Sequence, residues 1–227
     1  GMKPWDNRGD WIVVHELSDV DAIHPIISTS AGATYIEKHI FQNMLIMDND
    51  SLAHKPWIAT KLPEVSTDHL TYTFNIRDDV TFSDGRPLTG EDIIFSLKVI
   101  KNPFTDAAPS RNYYKDIDSA ELVNGDPFSV RFKCSDVYFK HLLIIGELWI
   151  YPKHIYDPDG IMDKYSFKDL NKLIEKISFG EDDYDFSKEP IFKFAEYFNS
   201  TELKRNPVGS GPYIFKEWIT DDRVVLQ

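Results

Sequence analysis

The stretch from Leu70 to Lys98, LTYTFNIRDDVTFSDGRPLTGEDIIFSLK, constrains the fold more than any other. Leu70, Tyr72, Phe74 and Ile76 alternate with Thr71, Thr73, Asn75 and Arg77, the period of a strand with one apolar and one wet face. Arg77-Asp78-Asp79 interrupts it, and Val80 and Phe82 carry the same parity into a second extended piece. Ser83-Asp84-Gly85-Arg86-Pro87 is turn chemistry: Asp tolerates the bend, Gly supplies positive φ and Pro fixes its own. Thr89 is placed to cap a helix, with Asp92 three residues on in the spacing of a capping box. Ile93, Leu97 and Ile100 form that helix's apolar stripe, and Asn102-Pro103 ends it.

The same rules extend outwards. Trp11 to His15 reads as a short strand, and Ile26 to Ser30 as irregular. Thr34 and Glu37 spell T-x-x-E, predicting a capped helix from Thr34 to about Met44 with Ile36, Ile40 and Phe41 inward. Ile58 to Ser66 reads as a strand that Pro63 demotes towards an edge, and Asn102 to Tyr114 as a loop. Ile117 to Val123 and Phe128 to Cys134 are strands joined by Asn124-Gly125-Asp126-Pro127, a hairpin signal. Val137 to Ile145 predicts a buried helix. Ser166 with Asp169 opens another, striped by Phe167, Leu170, Leu173, Ile174 and Ile177. Pro190 suits the first turn of a third, ending near Asn199. Glu181 to Asp185 is an acidic loop between them. Tyr213 to Trp218 and Val224 to Leu226 are strands around a turn at Thr220 to Asp222. Strands and helices are mixed without repeat, so the class is α+β.

Charge narrows the functions. A net charge of −12 and a pI near 5.0 give no basic face for nucleic acid or an anionic membrane surface. No two of the 7 histidines stand at a metal-ligand spacing, so neither a metal nor a cofactor is expected. The single cysteine, Cys134, shares the apolar parity of Phe128, Val130 and Phe132, which predicts an inert buried thiol. Asp84, Glu91 and Asp92 are the obvious carboxylates for catalysis. Turn geometry explains the first, and attraction to a helix start the other two. Gly209-Ser210-Gly211 has the glycines of a phosphate loop but is followed by Pro212 and a strand instead of a helix. No catalytic residue is expected.

Several of these segments, taken together and in order, resemble one family. Tyr72-Thr-Phe74, Ile76-Arg-Asp-Asp-Val80, Phe82-Ser-Asp-Gly85, Pro87-Leu-Thr89 and Glu91 to Leu97 are similar to the signature block of the extracellular solute-binding proteins of the oligopeptide and dipeptide type. Asp21-Ala-Ile-His-Pro25, Ile40 to Leu45, Pro56-Trp-Ile-Ala59, Tyr151-Pro-Lys-His154 and Pro207 to Tyr213 resemble further segments in the family's order. Ser83 and His24 depart from it, standing where His and Asn are usual. The stretch between His154 and Gly209 is also longer than the family's, with two amphipathic helices.

The resemblance implies a small α+β domain, residues 34–204, inserted into the first strands of a periplasmic-binding-protein lobe made of residues 1–33 and 205–227. Trp11 to His15 would then pair with the Tyr213 to Leu226 hairpin. It implies a binder without chemistry: the substrate-binding component of an ABC importer, with a peptide or other small solute and a membrane permease as partners. This chain would be an N-terminal piece lacking the second lobe, binding poorly on its own. The ligand would be approached by Ser28, Thr29 and Ser30 and by Arg111, Asn112, Tyr113 and Tyr114. Arg suits a carboxylate, and Tyr offers stacking area and a hydroxyl. A receptor for a metal chelate or oligosaccharide, or the sensor portion of a regulator, are the alternatives. Gly1 before Met2 reads as an addition, so the expectation is an export signal or lipoprotein leader upstream and a periplasmic or extracellular site.

Overall fold

The computed structural model describes residues 12–16, 18–178 and 185–227. Its centre is an antiparallel sheet in the order β3 (Glu64–Val65), β4 (Thr71–Asn75), β6 (Ser129–Cys134), β5 (Ile117–Leu122). Register follows the apolar parity: Tyr72 lies opposite Phe132 and Phe74 opposite Val130, all buried. Thr73 and Arg131 face each other on the wet side, where Glu121 pairs with Arg131 and Lys133. The β5–β6 turn carries Asn124 at φ 53 and Gly125 at φ 76, the positive angles a tight hairpin needs.

Helix α2 (Gly90–Lys101) lies on the apolar face, with α6 (Phe167–Ser178) beside it. Its start is a complete capping box: the Asp92 carboxylate accepts from the Thr89 N–H at 2.9 Å. Ile93, Leu97 and Ile100 are buried as the stripe requires, but so are Phe95 and Val99. A helix buried on nearly every side is a central one. Behind it, Phe95 meets Phe194 of α7 (Pro190–Phe198) edge-on at 6.1 Å. Each such side chain contributes about 1.5–3 kcal/mol on burial.

Around this core, α1 (Ala31–Ile40) is followed by the hairpin β1 (Leu45–Met47) and β2 (His54–Pro56). Short helices α3 (Ala108–Arg111), α4 (His141–Gly146) and α5 (Lys153–Tyr156) stitch the loops, and α8 (Thr201–Arg205) leads to the terminal hairpin β7 (Phe215–Ile219) and β8 (Arg223–Leu226).

Four expectations are corrected. Helix α1 is capped four residues early, because Ser30 takes the capping position in place of Thr34 and its Oγ accepts from the Ala33 N–H at 3.1 Å. Glu37 is thereby in mid-helix and buried, and Phe41 closes the helix short of Met44. Val137 and Phe139 are exposed, at 58% and 81%, and the helix begins only at His141. Residues 12–15 form no strand, and Ile12 is exposed, so β7–β8 pairs with itself; Trp11 lies outside the described residues, as do most of the acidic loop and the chain start. The Ile58 to Ser66 strand is reduced to an Ala59–Ile76 bridge and two-residue β3, since Pro63 cannot donate to a ladder.

Candidate functional site

Three of the sequence motifs meet where the chain returns at Gly209-Ser210-Gly211. The Gly211 N–H donates to the Ile40 carbonyl at 2.7 Å and Tyr213 N–H to that of His39 at 3.1 Å, capping the otherwise unpaired end of α1. So close an approach admits no side chain. A Cβ at Gly209 would fall 2.1 Å from the Ile40 oxygen, and one at Gly211 2.4 Å from that of His39. The Gly209 carbonyl accepts from Ser83 N–H at 2.9 Å, tying the strap to the Ser83–Pro87 turn. In that turn Asp84 meets His154 Nε2 at 2.5 Å. Burial opposes ionisation of Asp84, but hydrogen bonds with His154 and the Arg86 N–H outweigh it and hold the carboxyl below its usual value. Lys153 N–H donates to the second Asp92 oxygen at 2.9 Å, so signature block, Tyr151–His154 segment and strap form one frame. The Asp and Gly residues of these motifs are spent on folding.

A second junction lies under residues 21–30. The Glu37 carboxyl accepts from the His24 N–H at 2.7 Å. The Tyr151 hydroxyl lies 3.1 Å from His24 Nδ1 and accepts from Ile26 N–H at 3.0 Å. His24 is enclosed by the rings of Tyr151, Tyr156 and Phe198. Burial pushes its pKa down to about 3, and the same burial pushes Glu37 up to about 8, with the Asp21 carboxylate adding to the rise. His24 is therefore neutral and Glu37 protonated at neutral pH. His24 was visible in sequence only as a departure from Asn. Its partner Glu37 read as a capping residue, so the pair could not be foreseen.

The predicted ligand-facing residues divide by what their side chains already hold. Ser28 Oγ donates to Asp21 at 2.6 Å, and Ser30 caps α1. Thr29 between them is exposed. Arg111 is half-buried and turns donors inward: its Nε donates to Ile100 O at 3.0 Å, and its Nη2 donates to Asn102 O at 2.7 Å and Thr105 O at 2.9 Å. Tyr114 donates its hydroxyl to Ile144 O at 3.0 Å, and burial raises its pKa above the usual phenol value. Asn112 and Tyr113 are exposed, Tyr113 at 66%. Among the contacts described, none joins the 28–30 segment to the 111–114 segment.

The strongly perturbed groups sit in the core instead of converging on a cavity. Among the described residues, no three His, Cys, Asp or Glu side chains converge as metal ligands would. Among the described residues, open grooves of about 240 and 410 Å³ lie on the outer faces of α8–β7 and α6–β5. Burial, with Asp118 and Asp116 adding, holds the Cys134 thiol at about 11.

Residues 53–227 match the family described as bacterial extracellular solute-binding proteins, family 5 Middle. The chain is 24% identical over 221 residues to the periplasmic oligopeptide-binding protein OppA of Escherichia coli, covering 95% of this chain and 35% of OppA. Its fold is similar to that of the oligopeptide-binding protein AppA of Bacillus subtilis in complex with a nonapeptide, with TM-score 0.68 and 22% identity over 93% of this chain and 35% of AppA. It is also similar to NikZ of Campylobacter jejuni in complex with Ni(L-His), with TM-score 0.65 and 24% identity over 92% of this chain and 33% of NikZ. The chain thus spans about a third of the length of these relatives.

Proposed function

The chain belongs to the bacterial extracellular solute-binding proteins of family 5, and on that footing we propose that it is part of a peptide receptor delivering its solute to an ABC permease. The observation that carries this reading is the family match over residues 53–227. Peptide is the solute class favoured by relatives that are oligopeptide-binding proteins.

Residues 1–33 with 205–227 then belong to one lobe, and 34–204 form the small domain inserted in it. Contacts between early and late segments support that division. Asp19 accepts from Trp218 Nε1 and from the Asp221 N–H, each at 2.9 Å. A second lobe would supply the opposing wall and close over the solute. Within the ligand-facing set, Thr29, Asn112 and Tyr113 are the groups exposed to reach it. Ser28, Ser30, Arg111 and Tyr114 hold their loops in shape. The receptor acts outside the cytoplasm, anchored as a lipoprotein; no helix among the described residues is long and apolar enough to cross a membrane.

The test is thermal shift of the natural protein carrying this chain against tripeptides to pentapeptides, metal chelates and oligosaccharides. A rise confined to peptides supports the reading, and a rise confined to either other class replaces it.

A further inference from the structure

Glu37 sits in α1 with 2% of its surface exposed, and its carboxyl reaches out of the helix to the His24 N–H at 2.7 Å. That bond anchors the turn from which the 28–30 segment springs: the His24 carbonyl accepts from Ile27 N–H at 2.8 Å and Ser28 N–H at 2.9 Å. Asp21 then fixes Ser28, whose Oγ meets the Ser30 N–H at 3.3 Å. Every link from Glu37 to Ser30 is a hydrogen bond, and none is an ion pair. The titratable and charged groups facing the junction are Asp21 on the same segment, His24 itself, Tyr151 and Tyr156 beyond it, and Lys204 of α8 towards His24.

We propose that Glu37 is a positioning residue for solute binding: as a neutral carboxyl it holds the His24 turn and with it the Ser28–Ser30 segment, and its ionisation loosens both. This rests on the receptor reading for the role of the segment, though not for the clamp itself. A carboxylate there would lie in a low-dielectric site with no cation described against it and the Asp21 carboxylate nearby, costs that outweigh the stronger hydrogen bond an ionised Glu37 would accept from the His24 N–H. Opening the turn to water relieves that strain, so the open form gains as pH rises. His24 acts oppositely, because opening lets it take up a proton at low pH.

The test is hydrogen exchange of the His24 and Ile26 amides, corrected for intrinsic rates, at pH 6 and pH 8. Opening returns Glu37 to its ordinary range and should increase about fifty-fold over that interval, offset about fourfold by His24. Protection is therefore expected to fall by about tenfold. Glu37→Gln keeps the acceptor and removes the charge, so its protection should instead rise by about fourfold. Wild-type protection that stays level or rises, or a Glu37→Gln protein that falls as wild type does, overturns the proposal. Should that variant not fold, carboxyl-carbon NMR of the wild type decides: a Glu37 midpoint near 8 supports the clamp, and one near the ordinary 4.5 overturns it. Calorimetry with tri- to penta-alanine on the natural protein carrying this chain adds the second arm. Affinity should weaken from pH 6 to pH 8 in wild type and not in Glu37→Gln. If those peptides bind at neither pH, the peptide-receptor reading fails, while the exchange profile still decides the clamp.

Discussion

Replacing Gly209 with alanine puts a Cβ 2.1 Å from the Ile40 carbonyl oxygen, more than an ångström inside van der Waals contact. The obstacle is backbone at the end of a helix, so the strap must lift. Lifting it strains three hydrogen bonds: Gly211 N–H to Ile40 O at 2.7 Å, Ser83 N–H to Gly209 O at 2.9 Å and Tyr213 N–H to His39 O at 3.1 Å. At about 0.5–1.5 kcal/mol each, losing all three costs about 2–4 kcal/mol, more if the α1 carbonyls stay dry. Gly125→Ala is the control, because its Cβ would meet nothing within 4 Å and only its φ of +76 opposes the change, a penalty of about 1–2 kcal/mol. Urea unfolding at pH 6 compares the two by midpoint at constant slope. A Gly209→Ala protein no less stable than Gly125→Ala would refute the reasoning, since the strap would then not be pinned to α1.

Arg111→Ala should lower stability by about 1–3 kcal/mol, as three carbonyls each lose one donor, whereas Tyr113→Ala should stay within about 0.5 kcal/mol; thermal or urea unfolding reads both. Asp92→Ala removes the acceptor of the Thr89 and Lys153 N–H groups and should cost about 2–4 kcal/mol by the same assay. The pKa of Glu37, raised to about 8, gives stability that is full below its ordinary range and lost as pH rises towards 8; that of His24, depressed to about 3, gives stability present above its ordinary value and lost as pH falls. The two cancel between about pH 4.5 and 6.5, so denaturation should show a loss of about 1 kcal/mol from pH 6.5 to 8, absent in Glu37→Gln. Cys134 should resist thiol reagents at pH 8 until the protein is unfolded, followed by the rate of labelling.

Much of the core was legible because its rules are local. The alternation through Tyr72 and Phe74, the Thr89–Asp92 box and the Asn124–Gly125 turn each specify their own geometry within a few residues. Where two local rules competed, the reading slipped. Ser30 and Thr34 are both good caps, and what favours Ser30 is the burial of Glu37 against His24, thirteen residues away. The apolar run before His141 read as core, yet composition alone cannot say that Val137 and Phe139 are exposed, at 58% and 81%. The resemblance puts Arg111 near a ligand because of where its loop falls, and only three-dimensional closeness to the end of α2 shows its donors already occupied. The glycines of the strap were legible as a motif, while their reason, a backbone passing within touching distance of α1, is purely tertiary.

The measurement that bears most directly on the account is calorimetric titration of the natural protein carrying this chain with a defined tri- to pentapeptide set at pH 6, followed by mass spectrometry of the bound peptide. The account predicts saturable one-to-one binding, peptide recovered intact, and affinity weakened by Tyr113→Ala without loss of thermal stability. A folded protein that binds none of the set, or that returns the peptide cleaved, would contradict it.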